Sequence, residues 1–187
     1  MNIFVTDISP TRCARDHCDK HVVKMILETA QLLSSAVLFF NSKATGLYKN
    51  THVNHPCSKW ARESRSNFEW LYALGLLLCD EYTYRYGNHH KSRAIIENAS
   101  LYTSYIPDGK ITPFAQAMPE DCRESSAVFA YREYIFKHKI ASMKFTYTKR
   151  NPPKWLVERD VNIQHDGDIC IITSKLGDTN ERKTSSD

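Results

Sequence analysis

The stretch His17-Cys18-Asp19-Lys20-His21-Val22-Val23-Lys24-Met25-Ile26-Leu27-Glu28-Thr29-Ala30-Gln31-Leu32-Leu33 decides the fold class of this chain. On a helical wheel at ~100° per residue, His17, His21, Lys24, Glu28 and Gln31 fall within a wedge of roughly 80°, with Lys20 at its edge. The rest of the circumference is apolar or small: Cys18, Val22, Val23, Met25, Ile26, Leu27, Ala30, Leu32 and Leu33. A helix apolar over most of its circumference is buried on several sides. Its polar wedge then faces either a thin strip of solvent or an internal cleft. Two imidazoles, an amine, a carboxylate and an amide in one wedge favour the cleft, because a solvated strip is usually built from interchangeable Lys, Glu and Ser. An ordinary solvent strip with Lys–Glu pairing four residues apart is the plain alternative.

Working outward, the helical pattern extends from about residue 12 to residue 40, with Ser9 as cap and Pro10 in the first turn. Residues 2–7 carry β-formers in weak alternation and predict a short strand. A polar loop over 41–54 leads through Pro56 into a second long helix, about 57–86, which Gly87 terminates. A shorter helix is expected over 90–101, a surface loop over 105–121 around Pro107-Asp108-Gly109, and another helix over 125–144. Asn151-Pro152-Pro153 stops regular structure. Residues 160–163 and 168–173 flank His165-Asp166-Gly167, a hairpin signal, and this pair is expected to join the N-terminal strand in a small sheet. Residues 179–187 are polar and charged and are expected to fray. The chain therefore reads as mainly α: one compact domain of about four helices over 1–157, and an extension over 158–187.

Composition narrows the function classes. With 42% apolar residues and eight Phe, ten Tyr and three Trp, the 187-residue chain can bury a core and is not intrinsically disordered. A net charge of +4 permits a nucleic-acid or phosphate ligand without requiring one. Six cysteines form no CxxC pair and follow no signal peptide, so free thiols in a reducing cytoplasm are expected. No apolar run approaches the length of a membrane span, and no membrane partner is expected.

The wedge supplies the catalytic candidates Glu28, Lys24, His21 and His17, because titratable groups collected in a partly desolvated groove acquire the shifted pKa values that acid–base work needs. Gln31 and Lys20 are the binding candidates beside them. His17 and His21 have metal-ligand spacing, with Cys13 one turn earlier, but no third ligand follows at a recognised spacing; no metal or cofactor is expected. A second constellation runs from Lys49 through Asn54 and His55 to Lys59, Trp60 and Arg62. Basic and amide residues before a helix N-terminus suit an anion, and an aromatic there can stack a base. Arg85 and Arg132 lie in two further clusters of tyrosine with cations. Each cluster also reads as a capped helix start, or as long side chains lying over core aromatics.

The motifs from His17-Cys18-Asp19-Lys20-His21 through Gln31-Leu32, with Asn54-His55-Pro56, Trp60-Ala61-Arg62-Glu63-Ser64, Arg85-Tyr86-Gly87, Gln116-Ala117-Met118-Pro119 and Tyr131-Arg132, resemble a family of small proteins of phages and large DNA viruses. More distantly, the order of features is similar to the phage endonuclease V-type pyrimidine-dimer DNA glycosylases. That resemblance implies an all-α basic enzyme that excises a damaged base through an amine nucleophile and a Schiff base, assisted by a glutamate of the first long helix. Glu28, Lys49 with His55-Pro56, and Lys154-Trp155 would take the comparable places. The family nucleophile is the α-amine exposed by removal of the initiator methionine. Asn2 is a large second residue that keeps Met1 in place, so Lys24 beside Glu28 becomes the candidate amine. The leading expectation is thus a DNA glycosylase or glycosylase/lyase with DNA as partner. The alternatives are a viral nucleotide or nucleoside enzyme and a non-catalytic module binding nucleic acid or host protein.

Overall fold

The computed structural model describes residues 1–175. Its helices are α1 (Pro10–Asp16), α2 (Asp19–Phe40), α3 (Pro56–Glu63), α4 (Arg65–Tyr86), α5 (Arg93–Ser100), α6 (Ala127–Tyr134) and the one-turn α7 (Lys154–Val157). Its strands are β1 (Phe145–Thr148), β2 (Val161–Asp166) and β3 (Ile169–Ser174). The fold is mainly α, as the hydrophobic period indicates.

α2 is the central element, packed against α3, α4, α5 and β1. Val22, Ile26, Ala30, Leu33 and Val37 along it are fully buried. Contrary to the expectation from the sequence, α2 is long and apolar enough to cross a membrane by length and composition, with a mean hydropathy of 1.5. Two-thirds of that window is buried inside the protein, as suits a core helix. α4 crosses close to α2 and α5 at Gly75, where an added Cβ would lie 2.7 Å from Thr29 Cγ2 and 3.1 Å from Ile96 Cδ1.

Both long helices are broken where the sequence predicts continuity. The first breaks at His17 and Cys18, which are extended. Its freed carbonyls are satisfied by Arg85 of α4, which donates to His17 O at 2.8 Å and to Arg15 O at 3.3 Å. A cation at a helix C-terminus also meets the negative end of the dipole. The second breaks at Ser64, whose hydroxyl accepts from Asn67 N. Arg65 N and Ser66 N donate to Pro107 O and Gly109 O, so the surface loop caps α4.

Residues 2–7 form no strand. Ile3, Phe4, Val5 and Thr6 are all buried, which a two-faced strand would not give. Their backbone is satisfied instead by side chains: Cys13 Sγ bonds Phe4 O, and Arg132 Nε donates to Thr6 O at 2.9 Å. The helix expected over 125–144 ends early, opening into a π-turn at Ile135–Lys139 before β1. β1, not the N-terminal segment, completes the sheet, in the order β1-β3-β2 with antiparallel pairs. The expected hairpin is present as β2 and β3, turning at Gly167 in the left-handed region. Cys170 and Ile172 of β3 are core residues, so the hairpin is built into the body. The expectation for residues 179–187 lies outside the described residues.

A buried ionic cluster ties these layers together. The Asp19 carboxylate accepts from Arg85, the Thr146 and Thr148 hydroxyls and Thr148 N, at 2.8–3.1 Å. Glu81 takes Arg85 on one side and Arg150 on the other. All six cysteines are free and buried.

Candidate active site

One face of α2 opens on a cleft of about 510 Å³. Lys20, His21, Lys24, Met25 and Glu28 line it from α2, Met1, Asn2 and Phe4 from the N-terminal segment, and Ala117, Tyr134, Lys139, Ser142 and Met143 from the opposite wall. The helical period therefore does place an amine, an imidazole and a carboxylate on one internal groove.

Glu28, only 8% exposed, is its centre. Oε2 accepts from Asn2 N at 2.7 Å and lies 3.8 Å from the Met1 α-amino group. Oε1 lies 3.6 Å from Lys24 Nζ, four residues earlier on the same face. One carboxylate is thus flanked by two amines that differ in how they are held. The Met1 side chain is 2% exposed, which anchors the α-amine, whereas the Lys24 side chain is 70% exposed.

The anchoring continues through Asn2. Its Oδ1 faces the Tyr131 hydroxyl at 2.8 Å and accepts from Ile3 N, and its Nδ2 donates to Ala117 O at 2.9 Å. Tyr131 is itself fully buried on α6. Residues more than a hundred positions apart therefore fix the first two residues against Glu28.

The histidines are held neutral. Burial lowers His17 to about 4 and puts His21 well below the usual imidazole range, with the Arg85 charge adding to the first and His17, Lys139 and Lys24 adding to the second. The His21 ring stacks on Phe4 at 4.3 Å, and Phe4 stacks in turn on Tyr134 at 6.0 Å. This aromatic wall and the lysines of the rim give the cleft a flat apolar side and a cationic mouth. His17 lies at the α1–α2 break, where its Nδ1–H donates to Cys13 O at 2.7 Å, and does not line the cleft. Gln31 does not line it either.

The second constellation divides. His55 caps α3, accepting from Cys57 N through Nδ1. Burial lowers its pKa, and the Met1 α-amine lowers it further. Lys49, Asn54 and Lys59 are exposed. Trp60 belongs to the core, 3% exposed, packed with Trp70 and Phe114, and its indole donates to Thr112 O. Arg62 donates to Val53 O and lies over Phe39. Arg85 is wholly buried in the ionic cluster. Arg132 bonds Thr6 O and lies over Trp155. None of these four lines the cleft: the Trp60 indole and the Arg85 guanidinium are committed to protein acceptors, and Arg62 and Arg132 each give one donor to a backbone carbonyl. Sequence reasoning set the amino-terminal amine aside in favour of Lys24 and did not assign Asn2, Tyr131, Tyr134 or Lys139 to the site. No local period links them to α2.

No curated protein and no solved structure matches the chain. The pyrimidine dimer DNA glycosylase family matches residues 1–94, half of the 187-residue sequence. That span carries the N-terminal segment, α1 to α4 and every group that touches the Glu28 carboxylate. The chain therefore belongs to the pyrimidine dimer DNA glycosylase family and is an enzyme that excises a damaged base from DNA.

Proposed function

We propose that excision takes place in the Glu28 cleft, with an amine beside Glu28 as the nucleophile. The observation that carries this is the carboxylate flanked by two amines at 3.6 and 3.8 Å in a groove large enough for a nucleotide. Of the two, we assign the Met1 α-amine as the nucleophile because its side chain is buried and Asn2 behind it is fixed by Tyr131 and Ala117. Lys24 is the second reading, favoured by its equal closeness to Glu28.

In this reading the damaged nucleotide turns out of the duplex into the cleft, the ordinary route for enzymes that act on a base. The neutral amine attacks C1′ of its deoxyribose. The C–N bond forms as the glycosidic bond breaks, and the base leaves with that bond's electron pair and takes a proton from water. Glu28 accepts the proton that the attacking nitrogen sheds and passes it to O4′ as the sugar ring opens to a protonated Schiff base. Tyr134 gives the cleft an aromatic side, with Lys139 over its ring, and Lys20, Lys24 and Lys139 supply positive charge for the flanking phosphates. His21, held neutral, keeps a further cation out of the cleft.

The nucleotide-enzyme and binding-module readings of the stripe have no comparable support. The likeness of residues 1–156 to small phage and viral proteins supports a viral setting, and six free buried thiols support a cytoplasmic one. The test is excision from duplex DNA carrying a pyrimidine dimer, with borohydride present to reduce the Schiff base. The wild type should break one glycosidic bond of the dimer, the freed base staying joined to its neighbour, and form a covalent adduct, and Glu28→Gln should do neither. Excision without any adduct would replace the amine by water as nucleophile; undiminished activity in Glu28→Gln would remove the cleft from the chemistry.

A further inference from the structure

Behind the wall of the cleft that faces α2, three ligand-type side chains from two segments converge. Asp121 and Cys122 lie on a 3-10 turn, Glu120–Cys122, and His138 lies on the π-turn Ile135–Lys139. Their ligand atoms all lie within 4.8 Å of one another. His138 Nε2 is 3.3 Å from Asp121 Oδ2, and Cys122 Sγ is 3.7 Å from the same oxygen. Cys122 has no exposed surface, and Asp121 and His138 are partly exposed beside it.

We propose that Asp121, Cys122 and His138 form a binding site for a tetrahedral transition-metal ion, zinc in the first instance, that clamps the 116–122 loop to the π-turn. Zinc bonded at about 2.0–2.1 Å to nitrogen and oxygen and about 2.3 Å to sulfur holds O and N about 3.3 Å apart and S and O about 3.5 Å apart. The two separations to Asp121 Oδ2, 3.3 and 3.7 Å, are close to those values, and all three ligand atoms lie within 4.8 Å of one another. An aspartate, a thiolate and an imidazole suit zinc in chemistry, with water in the fourth position. Binding replaces the Cys122 S–H bond by an S–metal bond and releases the proton to solvent.

The backbone supports the same conclusion. The π-turn is closed by Ile140 N bonding Ile135 O at 3.1 Å, a widened turn that is rare and recurs at functional positions. It turns His138 toward Asp121 while Lys139, the next residue, lines the cleft. The 3-10 turn follows Ala117, which also lines the cleft and holds Asn2. One ion would thus join the two segments that carry Ala117 and Lys139. Of the nearby charges, Lys137 pairs with Glu133 and Arg123 with Glu120.

The test is titration of the full-length, reduced, chelator-treated protein with cobalt(II), read by absorbance and independent of DNA. One equivalent should give the visible bands of tetrahedral cobalt and a near-ultraviolet thiolate charge-transfer band, both bleached by zinc. Cys122→Ser should lose the charge-transfer band. His138→Gln, at the surface and harmless to folding, should weaken binding by more than about tenfold, a scale on which even supporting groups of metal sites act. A wild type without the band, a band that survives Cys122→Ser, or an affinity in His138→Gln within tenfold of wild type would overturn the proposal.

Discussion

Two groups of charged side chains meet α2, and they serve opposite ends. At its N-terminus, Asp19, Arg85, Glu81 and Arg150 form a closed cluster: Asp19 accepts four hydrogen bonds, and Arg85 gives its donors to two carboxylates and two backbone carbonyls. Two turns further along, Glu28 meets two amines and one backbone N–H, with a cleft in front of it. The residue types are alike. The difference is whether partners are complete and whether there is room for a substrate. Complete partners make a structural joint, because a buried charge without them is costly. An open carboxylate beside amines is chemistry held ready.

That contrast is breakable, first at Glu28. Replacing it by Gln keeps shape and the acceptor for Asn2 N but removes the base. Excision should fall by roughly 10²–10⁴-fold, while the melting temperature stays near that of the wild type. A comparable loss of stability would put Glu28 with the structural group.

Arg85→Met should do the reverse. It strands Asp19 and the α1 carbonyls, and chemical denaturation should show a loss of about 3–5 kcal/mol. The chemical step of the folded fraction, measured in single-turnover excision, should be unchanged. A slowed chemical step at full stability would make Arg85 part of the catalytic apparatus.

Acid provides a third probe. His17 is neutral in the folded protein down to about pH 4, whereas an unfolded histidine protonates near 6.5. Below 6.5 the unfolded chain binds the extra proton, so stability falls as pH drops through that window. His17 alone contributes a loss on the order of 3 kcal/mol by pH 4, and His21 acts in the same direction. Denaturant midpoints from pH 7 to 4 should decline, and the decline should shrink in His17→Gln. A flat profile would mean that these imidazoles are not buried as described.

The smallest effect is expected at the rim. If Lys139 meets a phosphate, Lys139→Ala should lower the slope of log affinity against log salt by about 0.9, with little change in stability. An unchanged slope would place DNA on another face.

The stripe was legible in the sequence because a 3.6-residue period is local: His21, Lys24 and Glu28 share a face whatever the rest of the chain does. Gly87 and the β2–β3 hairpin were legible for the same reason. The helix breaks were not, since the group that makes the first one tolerable, Arg85, is 68 residues from His17. Residues 2–7 looked like a strand because β-formers alternate there, but their partners are side chains of Cys13, Tyr131 and Arg132 rather than a neighbouring strand. That Arg85 and Trp60 are buried and that Arg132 bonds Thr6 O was not legible, because residue type carries neither burial nor partner. The far wall of the cleft, Ala117, Tyr134 and Lys139, follows from tertiary packing alone.

The most direct measurement is to map the borohydride-trapped adduct to a peptide. Protein trapped on a damaged duplex, digested and sequenced by mass spectrometry, should carry the sugar on the amino-terminal peptide, at the α-amine held beside Glu28. Modification of Lys24 would keep the cleft and exchange its nucleophile. Modification at Lys49, Lys154 or any other lysine outside the cleft would contradict the assignment of the chemistry to Glu28 and its two amines.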